Sequence, residues 1–350
     1  MKFLDLFAGI GGFRLGMEVA GHECIGFCEI DPFARKNYKA IHDTRGEVEW
    51  HDITRVSDDA VRGIGHVDII CGGFPCQTFS IAGKRRGFED TRGTLFFEIA
   101  RVASILRPKY LFLENVPGLL SHNNGDTFET ILETLAELGY DAEWQCFNSK
   151  NFGVPQNRER VFIIGHLRGA GGRAIFPFGG SDQKTNEQPA QVIGLGNINP
   201  SGKGMNGEVY LSDGLAPTLT TNKGEGIKIL QRSHGYNKGG EHDIAPTLTS
   251  NSYQHNNHVI VYDFYNKSKK DIVGTLTASG YQSNTRAGTF GIGVGSRIRK
   301  LTPRECWRLQ GFPDWAFDKA QAVNSNSQLY KQAGNSVTVN VIEVIAKKLI

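Results

Sequence analysis

The segment Gly72-Gly73-Phe74-Pro75-Cys76-Gln77-Thr78-Phe79-Ser80 constrains this chain more than any other stretch. It follows Val67-Asp68-Ile69-Ile70-Cys71, an apolar run that reads as a buried strand of a parallel sheet. The glycines and the proline are expected to stop that strand and open a loop. Ligand sites of open α/β sheets lie at such carboxyl ends. Cys76 is therefore presented where chemistry usually occurs. The competing reading is a buried packing thiol, the common role of a free cysteine. The glycines, the proline and the polar residues that follow argue against it.

The N-terminus supplies a second loop of the same kind. Lys2 to Phe7 is a short apolar strand, Ala8 to Gly12 a glycine-rich turn, and Phe13 to Ala20 has helical apolar spacing ended by Gly21. Glu23 to Glu29 reads as a second strand with an acid at its tip. Glu29 stands 20 residues beyond Gly9, about the spacing at which an acid meets a ribose hydroxyl in dinucleotide-binding folds. Alone, this pattern suits a nicotinamide, a flavin or S-adenosylmethionine equally, and also a sheet with no cofactor.

Further strands are expected at Val48–Ile53, Lys109–Leu113, leading to Glu114-Asn115-Val116, and Arg160–Gly165. Helices are expected at 94–106 and 128–138. Alternating strands and helices define an α/β domain with a mostly parallel sheet. Near Gly169 the composition changes: residues 169–296 are rich in Gly, Asn, Ser and Thr and show no helical pattern, which predicts small, irregular β structure. Within it Leu215–Thr220, Ile244–Thr249 and Ile272–Thr277 echo one another, with spacings of 29 and 28 between Leu219, Leu248 and Leu276. The chain is helical again after Thr302, and a terminal helix is expected at 340–349.

Composition closes off other classes. No apolar run approaches the ~20 residues of a membrane span, and Met1–Asp5 has no signal-peptide pattern, which predicts a cytoplasmic protein. Six cysteines in 350 residues give no disulfide framework, and Cys24 and Cys28 lack the second ligand pair of a zinc site, so no metal is expected. The net charge of +3 is divided unevenly: −5 for residues 1–165 and +8 for residues 166–350. A basic half suits a polyanion, although a solvated basic surface reads the same way.

Taken together, DLFAGIGG (5–12), GGFPCQTFS (72–80), ENV (114–116), QNRER (156–160), LTPRECWRLQGFP (301–313) and QAGNSV (332–337) resemble the DNA cytosine-5 methyltransferases, in that family's order. The resemblance covers 1–165 and 297–350. It implies a Rossmann-like S-adenosylmethionine-dependent catalytic domain at 1–168, completed by 318–350, and a smaller, irregular β-rich target-recognition domain at 169–317. It implies Cys76 as the nucleophile toward cytosine carbon 6, Glu114 as the acid holding the base edge, and Arg160, supported by Arg158, at the cytosine O2. The cofactor residues it implies are Phe7, Gly9, Ile10, Gly12, Glu29, Ile30, Asp52, Ile53, Gly73, Leu95, Asn335 and Val337. At Ile30 the family often carries an aromatic stacked on adenine, so this contact is expected to be weaker. For DNA the resemblance implies Ser80, Lys84, Arg85, Arg86, Gln156 and Thr275. Double-stranded DNA is the expected substrate, the chain is expected to be a monomer, and a restriction endonuclease of the same specificity is the expected companion. Ala82 replaces a serine that fills the flipped base's place in some relatives, which leaves the filling residue open. One branch of the family methylates transfer RNA, but its variable region is short, whereas roughly 130 residues separate the two halves here.

Overall fold

A computed structural model describes residues 1–75, 95–178 and 301–349 in full, and between them the backbone of seven short strands. The first 167 residues supply a seven-stranded sheet: β1 (Lys2–Leu6), β2 (Glu23–Cys28), β3 (Val48–Trp50), β4 (Ile69–Gly73), β5 (Tyr110–Asn115), β6 (Tyr140–Asn148) and β7 (Glu159–Leu167). Its order is β3-β2-β1-β4-β5-β7-β6. The β1–β2, β2–β3, β1–β4 and β4–β5 pairs are parallel, while β7 runs antiparallel to both β5 and β6. The sheet is therefore mostly parallel, as expected.

Side chains alternate across it with the period of two that a pleated strand imposes. Leu4, Leu6, Ile70, Leu111, Leu113, Val161 and Ile163 face one layer. That layer holds α3 (Asp58–Arg62), α4 (Leu95–Leu106) and α5 (Asp126–Glu137). Phe3, Ile69, Cys71, Tyr110, Phe112, Phe162 and Ile164 face the other, which holds α1 (Gly12–Val19) and α9 (Val339–Ala346). Gly73, Glu114 and Arg160 continue this second set in register, so all three belong to the α1/α9 face.

The glycines of the opening segment behave differently from the expectation. They do not stop the strand but complete it: Gly72 pairs with Leu113 and Gly73 with Glu114. Their smallness answers to packing, since a Cβ on Gly72 would lie 2.2 Å from the Leu6 carbonyl oxygen. The strand expected over 48–53 stops at Trp50, because Asp52 caps a short 3₁₀ turn over Ile53–Arg55. Two elements escape the sequence pattern. Strand β6 carries Asp141, Glu143, Gln145 and Asn148 at a sheet edge, so its hydrophobic alternation is diluted. Helix α2 (Pro32–Ile41) is polar overall, yet it starts with an Asp31 cap and a proline in its first turn, a legible signal.

Residues 301–349 return to this body. Helix α6 (Pro303–Leu309) starts with a capping box between Thr302 and Glu305. With α7 (Asp314–Gln321) and α8 (Asn326–Asn335) it buries Trp307, Phe312, Phe317 and Leu329 against Ile10, Leu15 and Ile41 of the N-terminal part. Between 179 and 300 the described residues form strands alone. β8 (Gly194–Asn197), β9 (Glu208–Leu211), β10 (Lys228–Gln231) and β14 (Arg297–Lys300) make one small sheet; β11 (Val261–Asp263), β12 (Ser268–Lys269) and β13 (Phe290–Ile292) make another. No helix among the described residues is long and apolar enough to cross a membrane.

Helix α9 docks on α1 where Gly16 removes the side chain between them: a Cβ there would lie 2.6 Å from Ile342 Cβ. Gly16→Ala is therefore expected to destabilise the protein by about 1–3 kcal/mol through overpacking, despite alanine's better helix propensity. Urea unfolding measures this, and an unchanged midpoint would refute the docking argument.

Candidate active site

Three segments converge at the carboxyl ends of the central strands. The first is the turn after β1. Phe7, Gly9 and Gly11 all have positive φ, at 56°, 57° and 85°. A phenylalanine held there is strained, which is common where a backbone is shaped for a ligand. A Cβ at Gly9 would meet nothing within 4 Å, so the turn borders open space. Glu29, just past β2, fastens the turn: its Oε2 accepts from the Gly9 N–H at 2.7 Å and its Oε1 from the Asp31 N–H at 2.8 Å. Burial raises the pKa of this carboxyl, and the two backbone donors oppose the rise. Beside it the Ile30 side chain is 66% exposed. Asp52 accepts from the Thr54 N–H and hydroxyl, and Ile53 is buried.

The second segment is the C-terminal stretch after α8. A Cβ on Gly12 would lie 2.7 Å from Ser336 Oγ and 2.9 Å from Val337 Cγ2. A Cβ on Gly73 would lie 3.8 Å from Val337 Cγ1. Val337 thus stands between the two glycine loops that the sequence singled out. Asn335 is exposed next to it. Leu95 opens α4, partly buried against the opposite layer.

The third segment carries the charge. Glu114 on β5 and Arg160 on β7 form a pair at 2.9 Å, Oε1 to Nε, and both side chains are largely buried. The antiparallel course of β7 makes this possible, because its first residues lie beside the last residues of β5. Burial raises the Glu114 pKa, and Arg160 and Arg158 oppose the rise without cancelling it. The other oxygen, Oε2, lies 2.9 Å from where a Cβ of Gly73 would be. Arg158 is buried and reaches the opposite way: its Nη2 donates to the carbonyls of Gly334 (3.1 Å) and Ser336 (2.8 Å). Burial, with Arg160 nearby, weakens its hold on a proton, but a guanidinium stays charged in a protein. Arg158 therefore ties the C-terminal stretch to the Glu114–Arg160 pair. Gln156 is fully buried, and neither atom of its amide finds a hydrogen-bond partner among the described residues.

The structure thus brings together Phe7, Gly9, Ile10, Gly12, Glu29, Gly73, Glu114, Arg158, Arg160, Asn335 and Val337. Cys76, Ser80, Lys84, Arg85, Arg86 and Thr275 lie outside the described residues, as do the copies at Thr218 and Thr247. Two contributors carried no assigned role in the sequence reading. Asn115 is buried and donates from Nδ2 to the Phe74 carbonyl at 2.8 Å, which holds the chain on its way to Cys76. Its place between Glu114 and Val116 in the ENV triplet was the available signal. His42 packs on the cofactor-side turn: a Cβ on Gly11 would lie 2.1 Å from its Nε2, which donates to the Ile10 carbonyl at 3.4 Å. No motif pointed to it.

A mostly parallel sheet with one reversed strand, and at its strand ends a glycine turn fastened by an acid and a buried acid–arginine pair, define a Rossmann-like domain. A sequence profile of the C-5 cytosine-specific DNA methylases matches residues 1–350. The chain belongs to that family; it is a DNA (cytosine-5)-methyltransferase, and S-adenosylmethionine is its cofactor. It is 38% identical to the type II methyltransferase M.HpaII of Haemophilus parainfluenzae, over 99% of this chain and 88% of the relative. It is 36% identical to the orphan methyltransferase M.SPRI of Bacillus phage SPR, over 100% of this chain and 97% of the relative. Among solved structures, the S. pombe Dnmt2 methyltransferase shares the fold with a TM-score of 0.62 at 17% identity, covering 100% of this chain and 98% of that one.

Two measurements probe the site. Gly73→Ala should displace Glu114 and lower the rate of methyl transfer on the order of 10²-fold, with the fold intact by circular dichroism. A rate near wild type would separate Gly73 from the chemistry. For His42, burial, followed by the charges of Arg14 and Lys319, pulls the pKa down to about 3 against the Ile10 hydrogen bond. The unfolded chain takes up a proton near pH 6.5 while the folded one does not. Stability is therefore complete above pH 6.5 and is lost as pH falls toward 3, by up to about 1.4 kcal/mol per pH unit. His42→Gln should flatten that slope between pH 7 and 5 in urea titrations; parallel curves for the two proteins would refute the assignment.

Proposed function

We propose that this enzyme methylates carbon 5 of a flipped-out cytosine within a specific double-stranded DNA sequence, through a covalent intermediate on Cys76. The observation that carries the proposal is the buried Glu114–Arg160 pair at 2.9 Å beside Gly73, at the end of the strand that leads to Cys76.

The residue types suit the chemistry. Carbon 5 of cytosine is a weak nucleophile. Addition of the Cys76 thiolate to carbon 6 pushes the ring electrons toward carbon 5. Glu114, with its pKa raised by burial, holds a proton near neutral pH more readily than an exposed carboxyl. It donates that proton toward ring nitrogen 3 and holds the exocyclic amino group. Arg160 steadies charge developing at the O2. Arg158 acts one step back, through its bonds to the carbonyls of Gly334 and Ser336. Once carbon 5 has taken the methyl group, a water removes the carbon 5 proton, the proton on nitrogen 3 returns to Glu114, and Cys76 leaves as thiolate, which restores the aromatic ring. A base inside a duplex is out of reach of these groups, which is the reason for flipping.

When bound, S-adenosylmethionine supplies the methyl group on a sulfonium. The residues present fit it. The turn at Gly9 borders open space, Glu29 offers a carboxylate to the ribose hydroxyls, and the exposed Ile30 offers an apolar surface to adenine. Phe7, Ile10, Gly12, Gly73, Leu95, Asn335 and Val337 would line the methionine side, with Asp52 and Ile53 toward the adenine. In this reading residues 1–168 form the catalytic unit with the C-terminal segment, expected at 318–350 from the sequence but packed on that body already from residue 301, and the residues between read the target. Ser80, Lys84, Arg85 and Arg86 grip phosphates, Gln156 supports the DNA side, and Thr275 touches DNA near the flipped base. The printed names of the relatives include both type II and orphan methyltransferases, so pairing with a restriction endonuclease is one setting for a cytoplasmic, monomeric enzyme.

Cys76→Ala is expected to abolish methyl transfer while DNA binding survives. DNA with 5-fluorocytosine at the target should trap the wild-type protein covalently when S-adenosylmethionine is present, because fluorine replaces the proton that must leave. Labelled cofactor offered with DNA or with transfer RNA distinguishes the substrates. Label in RNA alone, or full activity of the alanine variant, would overturn the proposal.

A further inference from the structure

The end of β2 leaves the sheet at Glu29. The Glu29 N–H makes a last backbone bond to the Trp50 carbonyl at 3.2 Å, and the chain then turns into the Asp31 cap of α2. The carbonyls of Glu29 and Ile30 have no strand partner there. One side chain serves both. Arg35, one helical turn after Asp31, donates from a single nitrogen, Nη1, to the Glu29 carbonyl at 2.8 Å and the Ile30 carbonyl at 2.9 Å. Its side chain is only 17% exposed.

An ordinary ion pair does not account for this placement. Arg35 Nε is 3.8 Å from Glu49 Oε1, a loose contact, while Glu49 Oε2 is taken by Lys39 at 2.6 Å. The close contacts of Arg35 are to backbone. They bear on a peptide that carries the Glu29 carboxylate, which accepts from the Gly9 N–H of the cofactor turn, and the exposed side chain of Ile30. Charge-assisted bonds to carbonyls are among the stronger hydrogen bonds, and two from one donor fix the rotation of the intervening peptide.

We infer that Arg35 is a positioning residue for the adenosine half of the cofactor: it clamps the Glu29–Ile30 peptide so that the ribose-binding carboxylate and the apolar side chain beside it are presented together. The inference rests on the reading of Glu29 as the ribose acid. Arg35 touches no substrate atom; it acts through Glu29 and Ile30.

The test is calorimetry on the full-length chain with S-adenosylhomocysteine and with 5′-methylthioadenosine, which lacks the amino-acid end. Arg35→Ala should weaken both by the same factor, about tenfold or more. The KM for S-adenosylmethionine should rise in step, with kcat unchanged at saturating cofactor. Arg35→Lys should recover most of the affinity, since one nitrogen makes both contacts. Arg35→Met, which keeps an apolar stem but has no donor, replaces the alanine variant if that variant fails to fold by circular dichroism, and should weaken binding as alanine does. Unchanged affinity in a folded Arg35→Ala or Arg35→Met protein would overturn the inference. So would a fall in kcat without a rise in KM, or a lysine variant as weak as alanine. Glu29→Ala measured alongside separates the two readings. If it weakens binding and Arg35→Ala does not, only the clamp is wrong. If Glu29→Ala also binds normally, the ribose assignment itself fails.

Discussion

The site depends on backbone approaches that only glycine permits. Gly12 lies against Ser336 and Val337, Gly16 against Ile342, and Gly73 between Glu114 and Val337. At each position a Cβ would meet atoms of the C-terminal stretch or of Glu114, at 2.6 to 3.9 Å. These contacts bring residue 337 to within van der Waals reach of residues 12 and 73. Without them α9 could not seat on α1, and the cofactor turn would lose one wall.

The Glu114–Arg160 pair has a different logic. A buried ion pair is weak evidence for stability, because desolvating both partners offsets most of their attraction. Its value here lies in poise. Burial raises the pKa of Glu114 while Arg160 and Arg158 hold it down. A carboxyl raised in this way keeps its proton to higher pH than an exposed one. In the proposed mechanism the same guanidinium that tempers the acid, Arg160, would meet the opposite edge of the base. Arg158 donates to the carbonyls flanking Asn335 and acts electrostatically on Glu114 and Arg160, so the pair and the C-terminal stretch share one buried cation.

On the cofactor side the working parts are mostly backbone. The carboxylate of Glu29 is held by the N–H groups of Gly9 and Asp31, its carbonyl by Arg35, and the turn itself by His42 at the Ile10 carbonyl. In such a site the holding hydrogen bonds are made before anything binds. That suits a cofactor whose methyl must meet one carbon atom, since orientation fixed in advance is not lost on binding.

Much of this was legible in the amino-acid order. Two glycine loops after apolar runs and an acid at ribose spacing mark an α/β sheet with a site at its strand ends, and with ENV, QNRER and QAGNSV they carry the resemblance to the methyltransferases. Local chemistry determines these: strand pattern, turn glycines and helix caps act over a few residues and leave their mark on composition. What only the tertiary structure decided is who meets whom. Strand β6 and the reversal of β7 bring Arg160 to Glu114, although 46 residues separate them in sequence. Gly72 and Gly73 turn out to serve packing rather than strand termination, and Arg35 and His42 belong to the site without belonging to any motif. No spacing rule reaches such pairings, because they arise when separate elements bury their apolar faces together and polar side chains at the seams must find partners.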